Sequence, residues 1–407
     1  MIVDAQTVTA LEARHVLQTY KRQPVVFTRG EGTRLFDTSG RAYLDFLSGI
    51  GVVVLGHAHP GLAAVIADQA TTLIHTSNLY YHPLQGQLAA RLSTLSGLQR
   101  AFFCNSGTEA VEACLKFARR FWYSQGVKDR TTYVALEHGF SGRTMGALSV
   151  TANAHYRDPF GPLIPGVTFV SPDDVAGLEA AVTESTAAII AEPIQGEGGV
   201  RPLSPAFAAA IARVTKKTGT LLIADEIQCG LGRTGQPFHY QSLGWTPDLV
   251  TVGKALGSGI PIGAALVAEH VAAQVFPGDH GTTYGGNLLS TRAALYVLEQ
   301  LDALAPHIRD AGDAFERRLL DLQRTHAVVT AVRGAGLMRG LELSIDAQPV
   351  VEAALKAGLL VNRTAERVVR MLPPLTVSTA DIDEAIAILD GALASVSVEG
   401  STVEVKG

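Results

Sequence analysis

Between residues 101 and 267 the chain repeats one pattern: an apolar run of four or five residues, a loop of small and polar residues, then a stretch at helical spacing. The runs fall at residues 101–104, 133–136, 167–170, 187–191, 221–224, 249–252 and 264–267. Runs this short, bounded by turn residues and rich in Val, Ile and Leu, suit strands buried on both faces. Helical segments between many of them, such as 204–218, return the chain to start the next strand in the same direction, as a parallel pair requires. The expected fold is α/β: a mostly parallel seven-stranded sheet with helices on both faces.

The flanks read differently. Residues 1–20 suggest a helix, with Val8, Leu11, Val16 and Leu17 loosely periodic. Short extended pieces follow at 25–28, 33–37 and 43–46, and Pro60 opens a helix to about residue 73 with its preset φ. Residues 75–83 form a polar and aromatic loop. Near residue 290 a long helical pattern begins (Leu295, Leu298, Leu301) and leads to a smaller α+β unit. Its strands are expected at 328–333, 338–343, 359–362 and 368–372, and its helices at 347–357 and 379–396. A chain of 407 residues is too long for one small core. The expected division is 1–60, a helix and short strands packing with the small unit; 61–305, a large domain; and 306–407, a small C-terminal domain.

Composition excludes several classes. Hydrophobic residues make up 47% and charged ones 17%, and the net charge of −5 offers no basic face to nucleic acid. The start lacks a basic stretch followed by an apolar one, so no signal peptide is expected. Apolar runs fall short of the ~18 residues a membrane span needs. The three cysteines, Cys104, Cys114 and Cys229, have neither zinc-site nor disulfide spacing. A soluble, cytoplasmic protein without a metal is expected.

The chemistry gathers around Asp225 and Lys254. One apolar run delivers Asp225 and Glu226 to the carboxyl edge of the sheet, where open α/β folds bind ligands. The next ends at Gly253 and presents Lys254 among the small residues Ala255, Gly257 and Gly259. A buried lysine facing a carboxylate is either a structural ion pair or a Schiff-base lysine. In the second case its partner keeps the ring nitrogen of pyridoxal phosphate (PLP) protonated. Ser106, Gly107 and Thr108 open a helix, as an ordinary N-cap or as an anion site. Phe140 is a core residue or a platform for a flat ring, and Arg143 a surface charge or a carboxylate clamp. Glu192 and Glu197 sit at and beyond another strand end, Arg370 ends a C-terminal strand, and Thr282 and Thr283 place two hydroxyls in a glycine-rich loop suited to a phosphate. Residues 230–235 match G-x-G-x-x-G, but Gln236-Pro237-Phe238 breaks the helix a dinucleotide site needs, so that reading is rejected.

The segments DEIQCGLGRTG (225–235), TVGKALGSG (251–259) and GTTYGGN (281–287) resemble, in order and spacing, the class III PLP-dependent aminotransferases of fold type I. The likeness covers essentially the whole chain and is greatest to their acetylornithine branch. It implies that Lys254 forms the Schiff base and moves the proton, and that Asp225 protonates the ring nitrogen. It further implies that Gln228 contacts the phenolic oxygen, Phe140 stacks on the ring, and Gly107 and Thr108 bind the phosphate with Thr283 of a neighbouring subunit. Arg143 and Thr282 are assigned to substrate, and Glu197 with Arg370 to a switch that hides or offers a positive charge. The implied reaction, a step of arginine biosynthesis, moves the amine of N2-acetyl-L-ornithine to 2-oxoglutarate in a homodimer with shared sites. Ornithine, succinylornithine, 4-aminobutyrate or a lysine-pathway amine are the other donors of the family. The loop 77–81 is the expected wall for the acetyl group. Two positions depart from the pattern: many relatives carry His where Ser141 stands and Asn where Val111 stands.

Overall fold

The computed structural model describes residues 4–401. All seven apolar runs join one sheet, in the order Arg100–Cys104, Gly263–Val267, Leu249–Val252, Leu221–Asp225, Thr186–Ala191, Thr132–Leu136 and Val167–Val170. Gly263–Val267 runs antiparallel to both its neighbours, and the others share one direction. Strand side chains alternate between faces, so each run feeds two cores. Leu221 and Ile223 pack with Val111, Leu115 and Ala118 of the helix Gly107–Ser124. Leu222 and Ala224 face the other way, in one cluster with Phe207, Ile211 and Val214 of the helix Pro205–Thr218. Each fully buried Leu, Ile or Phe contributes about 1.5–3 kcal/mol, which is why the strands read as unbroken apolar runs. Val111 is fully buried in the first of these cores, where an amide would need partners.

Several expectations shift. The first helix spans Ala5–His15 rather than 1–20; residues 1–3 lie outside the described ones. It ends early because Gln18 Nε2 donates to the Glu12 carbonyl at 2.8 Å and Arg22 pairs with the Glu12 carboxylate. A helix not anticipated, Pro83–Ser96, follows the aromatic loop, with Pro83 in its first turn, a His82 side-chain cap and Gly97 closing it at φ 77°. The expected strand at 359–362 divides. Leu359–Leu360 pairs in parallel with Ala42–Asp45, completing a four-stranded sheet with Phe27–Glu31 and Arg34–Asp37. Asn362–Thr364 instead joins an antiparallel sheet with Val368–Met371, Met338–Leu343 and Val329–Ala335. The helix Leu288–Thr325 has 38 residues, contains Pro306, and runs through the expected boundary at 305/306. Gln348–Ala357 and Thr379–Ser401 complete the C-terminal region. Among the described residues no helix is long and apolar enough to cross a membrane.

The central strands end in buried acids. Glu226, just past Leu221–Asp225, accepts the Tyr240 N–H at 2.7 Å and the Cys229 thiol at 3.2 Å, and none of the ion pairs among the described residues includes it. Burial raises its carboxyl from the usual 4.5 to about 7 against the Tyr240 N–H. A carboxyl whose folded value lies above its unfolded one stabilises fully below the unfolded value, and that contribution is lost as pH rises through the folded value. The ligand-free protein should therefore lose thermal stability between pH 4.5 and about 7, and Glu226→Gln should flatten that slope. Parallel melting curves of the two proteins across this range would exclude the role of Glu226.

Candidate active site

Three strand ends deliver the site. Thr186–Ala191 leads to Glu192, Leu221–Asp225 ends on Asp225, and Leu249–Val252 leads through Gly253 to Lys254. Lys254 begins a short 3-10 turn with φ 32°, a left-handed conformation uncommon for a side-chain-bearing residue and concentrated at functional sites. Beneath it the chain is closely packed: a Cβ on Gly253 would stand 3.1 Å from the Gly107 Cα, and one on Gly107 would meet Ile227 at 2.8 Å. Glycine at both positions lets the lysine turn and the helix start come together.

Lys254 and Asp225 share a cavity of about 260 Å³ with Gly107, Thr108, Phe140, Ser141, Arg143, Glu192 and Gln228. Asp225 Oδ1 accepts the Thr251 hydroxyl at 2.8 Å and the Ile227 N–H at 3.2 Å. Its Oδ2 is buried and has no partner. Burial lifts the Asp225 carboxyl above its usual range, against Thr251, the Ile227 N–H, Lys254 and Ser141. Burial likewise lowers the Lys254 ammonium; Glu197 opposes that and Arg370 adds to it, leaving the amine below the usual lysine range. An amine so placed spends more time unprotonated and nucleophilic.

Glu192 holds the cavity in shape. Its Oε1 accepts the Phe140 N–H at 2.9 Å and its Oε2 the Gly196 N–H at 3.1 Å. Burial, and then the charge of Asp225, push its carboxyl up. At the far side the helix Gly107–Ser124 begins with its free N–H groups at Gly107 and Thr108, while Ser106 Oγ accepts the Glu109 N–H at 3.3 Å. Capping and an open helix start coexist, because the cap uses only one of the unpaired donors.

Arg370 is buried beside Lys254, and its Nε and Nη1 are both bonded. It donates to Glu197 Oε1 at 2.5 Å, to Gln228 Oε1 at 3.1 Å and to Asn362 Oδ1 at 3.1 Å. Burial raises the Glu197 carboxyl, but the charge and hydrogen bond of Arg370, with Lys254 and Gln228, outweigh it and hold Glu197 below its usual range. The two side chains differ in exposure, 1% for Arg370 and 37% for Glu197, so Glu197 is the one with room to leave. From Glu197 and Phe140 a larger cavity of about 710 Å³ opens outward, walled by Phe140, Tyr156, Phe169, Arg157 and Arg363.

Two expected residues lie elsewhere. Thr282 accepts from Asn105 Nδ2 and the Gly285 N–H at 3.3 and 3.2 Å, and Thr283 is exposed; neither lines a cavity with Lys254. The loop 77–81 lines neither the cavity of Lys254 nor the outer one. Asn78 ties it to the carbonyls of Thr282 and Gly285, and Leu79, Tyr80, Tyr81 and Tyr284 are exposed. Thr251 and Tyr156 carry no site signal in the sequence, and Glu192 stands out there only as a strand-end carboxylate without an assigned role. Among the described residues no cluster of His, Cys, Asp or Glu could hold a metal.

The donor set fits one kind of molecule. A buried acceptor without a donor at Asp225 suits a cationic ring N–H, Phe140 suits a flat ring, the helix start suits an anion, and Lys254 is an amine for a carbonyl carbon.

Comparison with known proteins agrees with this chemistry. The sequence pattern of aminotransferase class-III covers residues 16–393. An acetylornithine aminotransferase from Gloeobacter violaceus is 45% identical over 396 residues, 96% of this chain and 99% of its own. One from Aquifex aeolicus is 43% identical over 376 residues, 92% of this chain and 98% of its own. The ornithine aminotransferase of Toxoplasma gondii superposes with a TM-score of 0.93 at 31% identity, covering 98% of this chain and 96% of its own. A second structure of that enzyme has partial PLP occupancy at its active site. The chain belongs to the class-III aminotransferases, a family of PLP-dependent enzymes.

Proposed function

We propose that the chain moves the amine of N2-acetyl-L-ornithine to 2-oxoglutarate, forming N-acetyl-L-glutamate 5-semialdehyde and L-glutamate, with PLP held in the cavity of Lys254. The observation that carries this reading is the unpartnered, buried Oδ2 of Asp225 in the cavity of a depressed-pKa lysine. Bound PLP supplies an electron sink for the carbon that loses its proton. Asp225 Oδ2 would hold the ring N–H, Phe140 would pack on the ring, Gly107 and Thr108 would hold the phosphate, and Gln228 would reach the phenolic oxygen. Lys254 would hold the cofactor and move the proton at the donor's δ-carbon.

Arg143 binds the donor's α-carboxylate; none of the ion pairs or hydrogen bonds among the described residues occupies it. In the donor half-reaction Glu197 covers Arg370. In the second half-reaction the carboxylate of 2-oxoglutarate takes its place, because a buried guanidinium left without an anion is costly. The acetylornithine aminotransferases similar over nearly the whole chain support this donor. The aromatic faces of Phe140 and Phe169 on the outer cavity support it too.

The exposed patch of Leu79, Tyr80, Tyr81 and Tyr284, with Thr283 beside it, fits a second copy of the chain better than water. We place the enzyme as a cytoplasmic homodimer in which Thr283 completes the partner's phosphate site and Thr282 borders the substrate. Purified enzyme should carry a visible absorption band and sediment as two chains. Lys254→Ala should lose the band and essentially all turnover; a variant that keeps both would overturn the cofactor reading, and a single-chain mass would remove the shared site.

Side-by-side assays of glutamate formation test the substrates. The kcat/KM for acetylornithine should exceed that for ornithine by at least roughly tenfold, since ornithine would bring a second ammonium into a cavity that already holds the Arg157 and Arg363 guanidiniums beside Glu137, Glu197 and Glu366 and must desolvate it there. Succinylornithine and 4-aminobutyrate complete the panel, and any of the three matching acetylornithine would shift the donor while leaving the reaction type intact. Arg370→Ala should raise KM for 2-oxoglutarate about 10- to 150-fold, far more than for the amine donor. Equal losses on both substrates would assign Arg370 to structure alone.

A further inference from the structure

Arg143 is exposed, and none of the ion pairs or hydrogen bonds among the described residues includes it, yet its guanidinium is held. Its central carbon lies 3.5 Å from the ring centroid of Tyr156 and 5.6 Å from that of Phe140. Tyr156 stands on the short turn Ala154–Arg157, which Asn153 caps by accepting the His155 N–H at 3.0 Å. The Ala152 N–H donates to the Gly139 carbonyl at 2.9 Å, fastening the start of this turn to the loop that carries Phe140 and Arg143. Phe140 lines both cavities, Arg143 the inner one and Tyr156 the outer one.

We propose that Tyr156 is the positioning residue of the donor-carboxylate clamp. An aromatic ring against the face of a guanidinium takes up its π surface and leaves all five in-plane N–H donors for a carboxylate. An exposed arginine without such a contact samples many rotamers, and a ligand that fixes it loses affinity accordingly. Tyr156 removes that freedom before the donor arrives. The Tyr156 hydroxyl takes part in none of the hydrogen bonds among the described residues, so the ring face carries the effect. This inference rests on the assignment of Arg143 to the donor carboxylate.

The test uses the PLP-loaded enzyme and two ligand pairs. N-acetyl-L-norvaline keeps the acetamido and carboxylate groups but has no amine to transfer, so calorimetry reads its binding without turnover. N-acetylputrescine is the donor without the carboxylate. Tyr156→Leu should weaken acetylnorvaline binding and raise KM for acetylornithine by about three- to tenfold. The kcat for acetylornithine and the KM for acetylputrescine should stay near wild type. Tyr156→Phe keeps the ring face and should restore the affinity. In an Arg143→Met background the Tyr156→Leu change should have no further effect on acetylnorvaline, the non-additivity that marks two residues acting as one. Equal losses on both donors, a Tyr156→Phe as damaging as Tyr156→Leu, or additive losses in the double variant would overturn the proposal. Should Tyr156→Leu fail to fold, Tyr156→Met provides the same comparison. Arg143→Met with undiminished acetylnorvaline affinity would instead remove the carboxylate assignment itself.

Discussion

The contact on which the site depends is the one between Arg370 and Glu197. A guanidinium with 1% of its side chain exposed must have an anion, because its desolvation is otherwise uncompensated. Glu197 fills that need from a partly open position, while Gln228 shares Nη1 with it and Asn362 holds Nε. The strand register secures this: Arg370 lies between Gly340 on one neighbour and Asn362 on the other. The pair thus has a fixed cation and an anion with room to move.

Around that pair the protein concentrates acids at the strand ends and gives them few cations. Glu192 and Glu226 are bound by backbone N–H groups, Asp225 by a hydroxyl and an N–H, and all three are pushed toward the neutral form by burial. Lys254 is driven the opposite way. Burial therefore brings acids and amine toward neutrality together, and a cation bound at Asp225 Oδ2 would reopen the difference. The fold bears this arrangement because the seven strands below it are apolar on both faces.

How much of this was readable in advance follows from how local each signal is. The seven strands were legible because burial on both faces writes itself as contiguous Val, Ile and Leu. Lys254, Asp225 and the glycines near them were legible because close approach requires small residues at fixed spacing. The helix Pro83–Ser96 escaped although Pro83, Gly97 and Leu84, Leu88 and Leu92 marked it, since only one narrow stripe of it is buried. Tyr156 over Arg143 and Thr251 on Asp225 escaped for another reason: each is a tertiary contact, and neither partner shows it locally. Loop 77–81 stands out in the sequence as a polar and aromatic segment, and its exposed aromatics sit with residues 282–285, away from the chain's own lysine.

The division of the strand near residue 360 has a consequence for the birth of the protein. Leu359 pairs with Leu44, roughly 300 residues earlier, so this parallel contact closes a very long loop. On a ribosome the segment Ala42–Asp45 emerges early and waits, with one edge unpaired, until almost the whole chain has been made. The N-terminal sheet is thus a late-closing clasp. A nascent chain stalled short of residue 359 would expose an open strand edge, the kind of surface chaperones recognise and other chains adhere to.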